Sequence, residues 1–577
     1  MNINWNDPNF QGFGGKNPFA GKPKKEKKPR KAIGTPLGRT LLNLAVTLLV
    51  GAVYFYVELP ALNLHSGSLY VFVILLCAVY CVMAILTSGF QGEGAKGYFG
   101  FVKKQCKIPF FLALAMILTA IVGSIIGWKL IRAADYRDLL TVESGDFASE
   151  VEEISFDQIP MLDRDSASKL GNRKLGELAD MVSQFEVDDD YTQINYKDRP
   201  VRVTALRYGD WIKWLNNRSH GLPAYLIIDM VTQNVEVVRL EQGIRYTTAE
   251  HFSRNLNRHL RFHYPTYIFD SPAFEIDEEG NPYWVCPRIT NTIGLFGGTD
   301  VLGAVLVNAI TGEMEYYKVG DIPNWVDHVY NADLIISQYD NHGRYIHGFL
   351  NSLFGQRDVT ITTDGYNYIA LNDDVYMYTG ITSVVSDESN VGFILSNQRT
   401  KETRFYSVAG AEEYSAMDSA RGQVQQMNYN ATFPLLLNIA DQPTYFMALK
   451  DAAGLVKMYA MVNVSQYQIV ATGSSVADCE SSYRLMLARN GLISKDDTDV
   501  TPTGQDQVTG TIAEIRSAVV EGNTWYYLRL QEGQVYYAIS AADDKNAVIL
   551  SVGDAVTITY AKGEDKILSA YSVTAVK

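Results

Sequence analysis

Three apolar stretches, at about 40–59, 68–87 and 109–128, constrain this chain more than anything else in it. Each approaches the ~20 residues a helix needs to cross a hydrocarbon layer, where backbone amides and carbonyls must find partners within their own segment. Ionisable residues are almost absent from them; Glu58 stands at an end. The first stretch lies too far from the N-terminus, and is followed too soon by others, to be a simple cleaved signal. A short turn containing Pro60, His65 and Gly67 joins the first two into a hairpin. Ion and proton pathways usually need charged groups within the bilayer. Transport by this chain alone is therefore disfavoured, and the three helices read as an anchor.

Charge supplies the sidedness. The 577 residues carry a net charge of −14, unevenly placed: residues 1–131 hold 14 Lys/Arg against 4 Asp/Glu, and the remainder 36 against 60. A basic, apolar head joined to an acidic body excludes an ordinary cytosolic enzyme, and 47% apolar residues exclude a wholly disordered chain. Residues 1–38 have no helical or strand periodicity and include KPKKEKKPRK (22–31), so a disordered basic cytoplasmic tail is expected. Beside a membrane segment such a run meets anionic lipid more simply than nucleic acid. Lys96, Lys103, Lys104 and Lys107 follow the second span against the single acid Glu93. The positive-inside rule then places tail and loop in the cytoplasm and residues after about 131 outside. Lys129, Arg132 and Arg137 oppose that placement from the outer side.

A chain of this length exceeds one core. The expected fold class is α+β, with a tail at 1–38, three transmembrane helices at 39–131, a stalk and helical linker at 132–194, a repeated body at 195–494, a polar linker at 495–507 and a small all-β barrel at 508–577. The third helix is expected to continue as a stalk through WKLIRAADYRDLL (128–140), and DRDSASKLGNRKLGEL (163–178) has the spacing of an amphipathic helix. Four segments of the body share a pattern of strand, polar turn and strand: YLIIDMVTQNVEVVRL (225–240), AVLVNAITGEMEYYKV (304–319), GFILSNQRTKETRFYSV (392–408) and KMYAMVNVSQYQIVATG (457–473). Their β-branched and aromatic residues flank short turns of Asn, Thr, Gly, Gln or Ser, the hairpin signal. A helix-like stretch follows each, at 247–261, 321–333, 409–427 and 474–490, and a further strand-rich segment, such as 266–287 or 434–451, precedes each. The unit is a sheet with a helix on one face. Uneven spacing argues against a regular solenoid and for two pseudo-repeated halves in one body.

The hairpin VLVNAITGEMEYY, with its apolar strand, Thr-Gly turn and second strand, resembles the PepSY module, a small extracytoplasmic α+β domain often attached to membrane proteins. The resemblance covers about half of the body, and the Thr-Gly turn is plain only in the 304–319 copy. Taken whole, the chain is similar to a family of Gram-positive bacterial membrane proteins of unassigned activity, with PepSY-like modules and an OB-like C-terminal domain. The resemblance implies a surface location and inhibition or regulation of peptidases. It brings no catalytic residues.

The last seventy residues contain five strand-like runs, VTGTIAEIRSAVV, TWYYLRLQ, VYYAIS, AVTITYA and ILSAYSVTAV, whose order resembles an OB-type barrel. Trp525, Tyr527 and Tyr537 are the candidate ligand-stacking residues, with Tyr526 and Tyr536 beside them. Alternate members of each run must face the interior, which leaves at most half for a ligand. Phosphate binding needs a basic groove, and this segment is poor in Lys/Arg, so nucleic acid is disfavoured.

Other candidates are weaker. His259 and His263 stand four apart on an expected helix, with His251 before them, a spacing that can present imidazoles to zinc. The intervening LRF lacks the Glu of HExxH, and a structural pair is the simpler reading. Ser166 and Lys169 match S-x-x-K, but the S-D-N and K-T-G elements of those acyl transferases are absent. Asp163/Asp165, Asp188–Asp190 and Asp373/Asp374 offer calcium-type ligands without EF-hand spacing, and solvated loops explain them more simply. Cys286 and Cys479 read as small buried thiols rather than a disulfide.

The sequence thus points to a bacterial membrane-anchored binding or scaffolding protein at the outer face, with a protein, peptide or glycan ligand. The alternatives are a cell-wall or peptide-processing enzyme or a regulator of one, and an accessory subunit of a transport or secretion complex. No cofactor is expected. The expected partners are the lipid bilayer and membrane or cell-wall proteins, and oligomeric state is left open. Protease added to intact cells is expected to remove the C-terminal β unit while residues 1–38 survive. A label at a cysteine placed near residue 520 that reacts only after lysis would refute this sidedness.

Overall fold

The computed structural model describes residues 34–88, 95–153, 159–371, 373–384, 386–494, 505–520, 523–531, 533–541, 544–561 and 566–575. Most of the expected tail, and residues 495–504 of the expected linker, lie outside these. Helices α1 (Pro36–Glu58), α2 (Gly67–Ser88) and α3 (Ala95–Ile126) match the three apolar stretches and are long and apolar enough to cross a membrane. The chain divides into two compact units. One holds the described residues up to Glu58 together with Tyr70–Leu118; the other holds Leu59–Leu69 and the chain from Thr119 onward. In the first unit, buried Asn43 and Thr87 hydrogen-bond at 3.0 Å between α1 and α2. Polar contacts of this kind hold helices together where lipid tails offer no hydrophobic drive. Tyr80 donates to Gln105 Oε1 at 2.7 Å, joining α2 to α3.

In the second unit the stretch expected as a stalk is helical but does not continue the third span unbroken. Gly127 and Trp128 interrupt the helix, α4 (Lys129–Arg137) follows with non-helical dihedrals at Arg132, and the chain folds back into the body. Leu140 is buried there, and β1 (Val142–Gly145) pairs in parallel with Thr403–Tyr406. The short α5 (Phe147–Glu150) comes next.

Four modules then repeat one plan, a helix followed by five strands, where sequence spacing implied two halves. The first comprises α6 (Arg164–Gly176), β2 (Phe185–Val187), β3 (Thr192–Asn195), β4 (Pro200–Tyr208), α7 (Trp211–Asn217), β5 (Leu222–Asp229) and β6 (Val235–Ile244). The second comprises α8 (Leu256–His263), β7 (Ile268–Phe269), β8 (Ala273–Ile276), β9 (Pro282–Ile293), β10 (Gly297–Asn308) and β11 (Met314–Lys318). The third comprises α9 (Ala332–Arg344), β12 (Thr360–Thr362), β13 (Asn367–Leu371), β14 (Asp374–Ser383), β15 (Ser386–Asn397) and β16 (Thr403–Tyr406), with β17 (Gly410–Ala411) added beside β15. The fourth comprises α10 (Glu413–Gln423), β18 (Asn430–Ala431), β19 (Leu435–Ile439), β20 (Gln442–Lys450), β21 (Val456–Asn463) and β22 (Val470–Gly473), and α11 (Val476–Arg489) closes it. In every module the first two strands share the third as partner, the third pairs with the fourth and the fourth with the fifth, all antiparallel.

The four hairpins read from sequence are the fourth and fifth strands of these modules, and one turn chemistry recurs in them. Asp229, Asn308 and Asn397 occupy the same position, each side chain accepting two amides of its own turn at 2.7–3.0 Å. Thr232, Thr311 and Thr400 follow three residues on, and their hydroxyls accept the amides of Asn234, Glu313 and Glu402. The next residue is left-handed in each: Gln233, Gly312 and Lys401, at φ 62°, 78° and 67°. Only the second copy has the glycine this conformation favours. Asn463 heads the fourth turn, which is one residue longer, and accepts from Gln466 N at 2.8 Å.

The expected helix at 321–333 is instead a loop. Asn331 caps α9, its side chain accepting from Leu334 N, and the preceding amides bind other modules.

Three cores lie between successive sheets. Trp284, Cys286, Val305 and Val307 face the first module, whereas Val285, Ala304 and Leu306, alternate residues of the same strands, face the third. Met377 and Ile394 share that second core, while Tyr378, Phe393 and Leu395 turn to the fourth module. The two middle sheets are thus covered on both faces, so their strands are near-continuous apolar runs without alternation.

The C-terminal unit contains β23 (Gln505–Val520), β24 (Asn523–Leu530), β25 (Tyr536–Ser540), β26 (Ala555–Ala561) and β27 (Ile567–Ala575). These are the five strands expected. Each pairs with two others, in the order β23–β24–β25–β27–β26 and back to β23, around Ile512, Leu528, Ile539, Val556, Ile558 and Val573.

Asn308→Ala leaves two turn amides without their acceptor and is expected to lower the unfolding free energy of the detergent-solubilised chain by about 1–2 kcal/mol, with Asn308→Asp near wild type. Equal stability of all three in denaturant titrations would show that the turn is held by other means.

Candidate functional site

The loop between β11 and α9 carries four consecutive amides through the meeting point of three modules. Asp327 N and His328 N donate to Glu275 Oε2 and Oε1 at 2.8 and 2.9 Å, from β8 of the second module. Val329 N and Tyr330 N both donate to Gln398 O of the third, at 3.1 and 2.8 Å. The first module binds from the other side: Asn195 N donates to Asp327 Oδ2 at 2.7 Å, and His328 Nε2 lies 2.5 Å from Gln193 O. A carbonyl only accepts, so Nε2 carries the imidazole proton. Buried Arg202 donates to Tyr191 O and Gln193 Oε1, and the Tyr368 ring meets His328 edge-on at 5.3 Å. Nearby, Asp374 forms a bidentate pair with Arg399 at 2.7 and 2.8 Å and also accepts from Asn397.

Burial dominates the electrostatics. It raises the Glu275 carboxyl to about 7, even though two amides favour its anion. It raises Asp327 well above the usual carboxylate range, and the Glu275 charge adds to that. His328 is pushed down to about 4 by burial, with Arg202 contributing. Two acids in one dry site cannot both ionise cheaply, so they titrate as a pair. Two carboxyls and a neutral imidazole are general acid–base groups by type. Here, however, Glu275 is 0% and Asp327 1% exposed, and a substrate has no path to them in this structure. A pocket of about 20 Å³ lined by Met161, Asp163, Asn367, Tyr368, Phe433 and Phe446 holds roughly one water. The junction joins modules.

A different surface is open. On α7, Trp211, Ile212 and Leu215 are exposed, Ile212 to 68%, and Phe252 stands beside them. The Trp211 ring lies 4.5 Å from Trp214, 4.8 Å from His251 and 6.2 Å from Phe252. The base of this cluster is rigid: buried Glu250 accepts the Trp214 indole N–H and the Tyr208 hydroxyl, both at 2.7 Å. Asp210 caps α7 by accepting the amides of Ile212 and Lys213. Sequence reading passed over this surface; the doublet WIKW after a capping Asp was its signal.

The residues singled out by sequence are placed as follows. His259 and His263 are adjacent on α8, with rings 4.8 Å apart, but His259 Nε2 is engaged by Gly312 O at 2.8 Å and His263 Nδ1 by His259 O. Among the described residues no group of three His, Cys, Asp or Glu gathers for a metal. Ser166 is buried on α6, while Lys169 Nζ reaches Ala453 O in the fourth module rather than Ser166. Asp163 caps α6 and pairs with Lys450, while Asp189 and Asp190 lie on an exposed loop and pair there with Arg207 and Arg164. Cys286 and Cys479 are free, buried thiols in different modules, and burial pushes both up. Tyr537 is buried in the C-terminal core against Tyr560, and Tyr526 packs on that core. Trp525 and Tyr527 flank Tyr526 in β24 and are half-buried. Strand alternation puts them on the opposite face.

No protein-family model matches the chain, and no curated protein of similar sequence matches it.

The junction has a pH signature. A carboxyl whose folded pKa is raised binds its proton more tightly in the folded state. The stability that proton contributes is complete below about 4.5 and is lost as pH rises through about 7. His328 acts in the opposite sense, contributing above 6.5 and losing that share as pH falls toward about 4. Glu275→Gln removes the share of Glu275 in the first dependence, leaves that of buried Asp327, and keeps the second. The wild-type advantage over this variant is expected to shrink by on the order of 3 kcal/mol as pH rises from about 4.5 to about 8, read from denaturant unfolding. A difference independent of pH would refute the assignment.

Proposed function

We propose that this chain is a membrane-anchored binding or scaffolding protein of the bacterial cell surface, with its acidic body outside and a protein, peptide or glycan as ligand. The observation that carries the reading is the Trp211–Ile212–Leu215–Phe252 surface, apolar and exposed on a rigid base. Flat, preordered aromatic rings supply contact area at low entropic cost and are enriched at binding hot spots. The closed junction around Glu275 supports binding over catalysis, because its acids lack an open cleft.

Sidedness is supported by the 59–69 turn. Leu62 N donates to Pro265 O at 2.8 Å, Arg261 Nε to Leu59 O at 2.9 Å, Asn63 Nδ2 to Thr266 O at 2.9 Å and Asn291 Nδ2 to His65 O at 2.9 Å. Three crossings put that turn and the body on one side, and the positive-inside rule makes it the outer one. We read the helix-plus-sheet modules as PepSY-like and the ring-paired C-terminal strands as OB-like, two folds that serve recognition and leave the ligand to the site.

A photo-crosslinking residue at Leu215 in the full chain is expected to give discrete adducts in intact cells, and adding Trp211→Ala to cut their yield about tenfold. The same adducts from a crosslinker at exposed Tyr467, or a yield unmoved by Trp211→Ala, would overturn this surface as the recognition site.

A further inference from the structure

We propose that Trp128, Ile131, Leu350, Leu353 and Phe354 form an interfacial foot, seated in the headgroup–acyl boundary of the same bilayer that the three helices cross. The proposal rests on the membrane reading of those helices. The third apolar span ends at Ile126 and α4 begins at Lys129. Three residues reach at most about 10 Å, so α4 starts at the bilayer surface.

The helix is two-faced. Ala133 and Tyr136 are buried against Ile293 and Tyr345, while Trp128 and Ile131 are exposed. Tryptophan just beyond a span is the side chain most suited to the headgroup level. Phe349 joins the same buried cluster, stacked on Tyr345 at 6.1 Å, and so fastens the π-helical turn Asn351–Gly355 beside α4. Leu350, Leu353 and Phe354 project from that turn into open space, Phe354 to 84% exposure. Leu350 and Phe354, four apart, lie near one side of such a turn. Water-facing surfaces scatter such residues singly, and a contiguous set marks an interaction surface.

Lipid is the occupant that the surroundings select. At the tip between β9 and β10, Leu295 packs on Gly123 so closely that a Cβ there has no room, and Gly123 lies three residues inside the end of the span. One part of the second module therefore already stands at membrane depth. Lys129 lies between Trp128 and Ile131, and Arg344 and Arg357, paired with Asp340 and Asp358, flank Leu350–Phe354 in the chain. Long cationic side chains at a membrane border meet headgroup phosphates with their stems along the acyl chains.

The test uses the full chain with Cys77→Ala, Cys81→Ala and Cys106→Ala, reconstituted in vesicles of phosphatidylcholine and phosphatidylglycerol. An environment-sensitive label is attached through Phe354→Cys, Leu118→Cys or Tyr467→Cys, and shallow or deep spin-labelled lipid is added as quencher. At Phe354→Cys shallow quencher is expected to cut emission about twofold or more and deep quencher less, as for a side chain 5–10 Å into the boundary. Leu118→Cys should respond most to deep quencher and Tyr467→Cys to neither. An unquenched label at 354 with a quenched one at 118 overturns the foot and leaves the anchor intact. A blue-shifted but unquenched label at 354 identifies protein as the occupant, a second copy or a partner, and also overturns it. No quenching at 118 removes the membrane reading and the foot together.

Discussion

Four consecutive amides, Asp327 to Tyr330, decide how the body is assembled. Buried N–H groups must find acceptors, and these find a carboxylate from one module and a carbonyl from the next. The loop can be satisfied only when β8 and the β15–β16 turn have both arrived, so closing the loop and stacking the modules are one event. Burying Glu275 is costly; two amide hydrogen bonds offset part of that cost, and protonation of the buried carboxyl removes much of the rest. The consequence is a junction whose strength depends on protonation, although its acids touch no solvent.

Stacking explains the character of the middle sheets. Trp284 and Val285, neighbours in β9, serve different cores, as do Val305 and Leu306 in β10. A sheet covered on both faces has no polar side to lend to a ligand. What the stack leaves outside includes α7, the C-terminal β unit and the turn after α9. The same second module that supplies Glu275 also holds the 59–69 turn through Arg261 and Asn291.

Some of this was legible in sequence for local reasons. An apolar run of membrane length has few other folds, and α1, α2 and α3 fall where the runs do. The four hairpins were legible because a turn is specified by a few adjacent residues, and the Asn-x-x-Thr pattern of 308–311 recurs as Asp229–Thr232 and Asn397–Thr400. What hid the equivalence was Gln233 and Lys401, which take a left-handed conformation without being glycine. The first strands of the modules were not legible because they are as short as Ile268–Phe269 and Asn430–Ala431, and two residues have no period. The 321–333 loop passed for a helix because its apolar residues were spaced like one, whereas their real partners lie in two modules.

The candidate sites divide the same way. His259, His263, Ser166 and Lys169 drew notice through spacing along the chain, and the fold hands each to an ordinary partner. Glu275 and Asp327 are 52 residues apart and drew none. By itself, then, the sequence determined the elements whose cause is local: the three apolar helices, the basic head and acidic body, the turn chemistry and the five C-terminal strands. Only the tertiary structure decided which carboxyls are buried together, which aromatic residues remain outside, and that the expected stalk is part of the body. Those outcomes depend on contacts between residues far apart in the chain, and no window of neighbouring residues contains them.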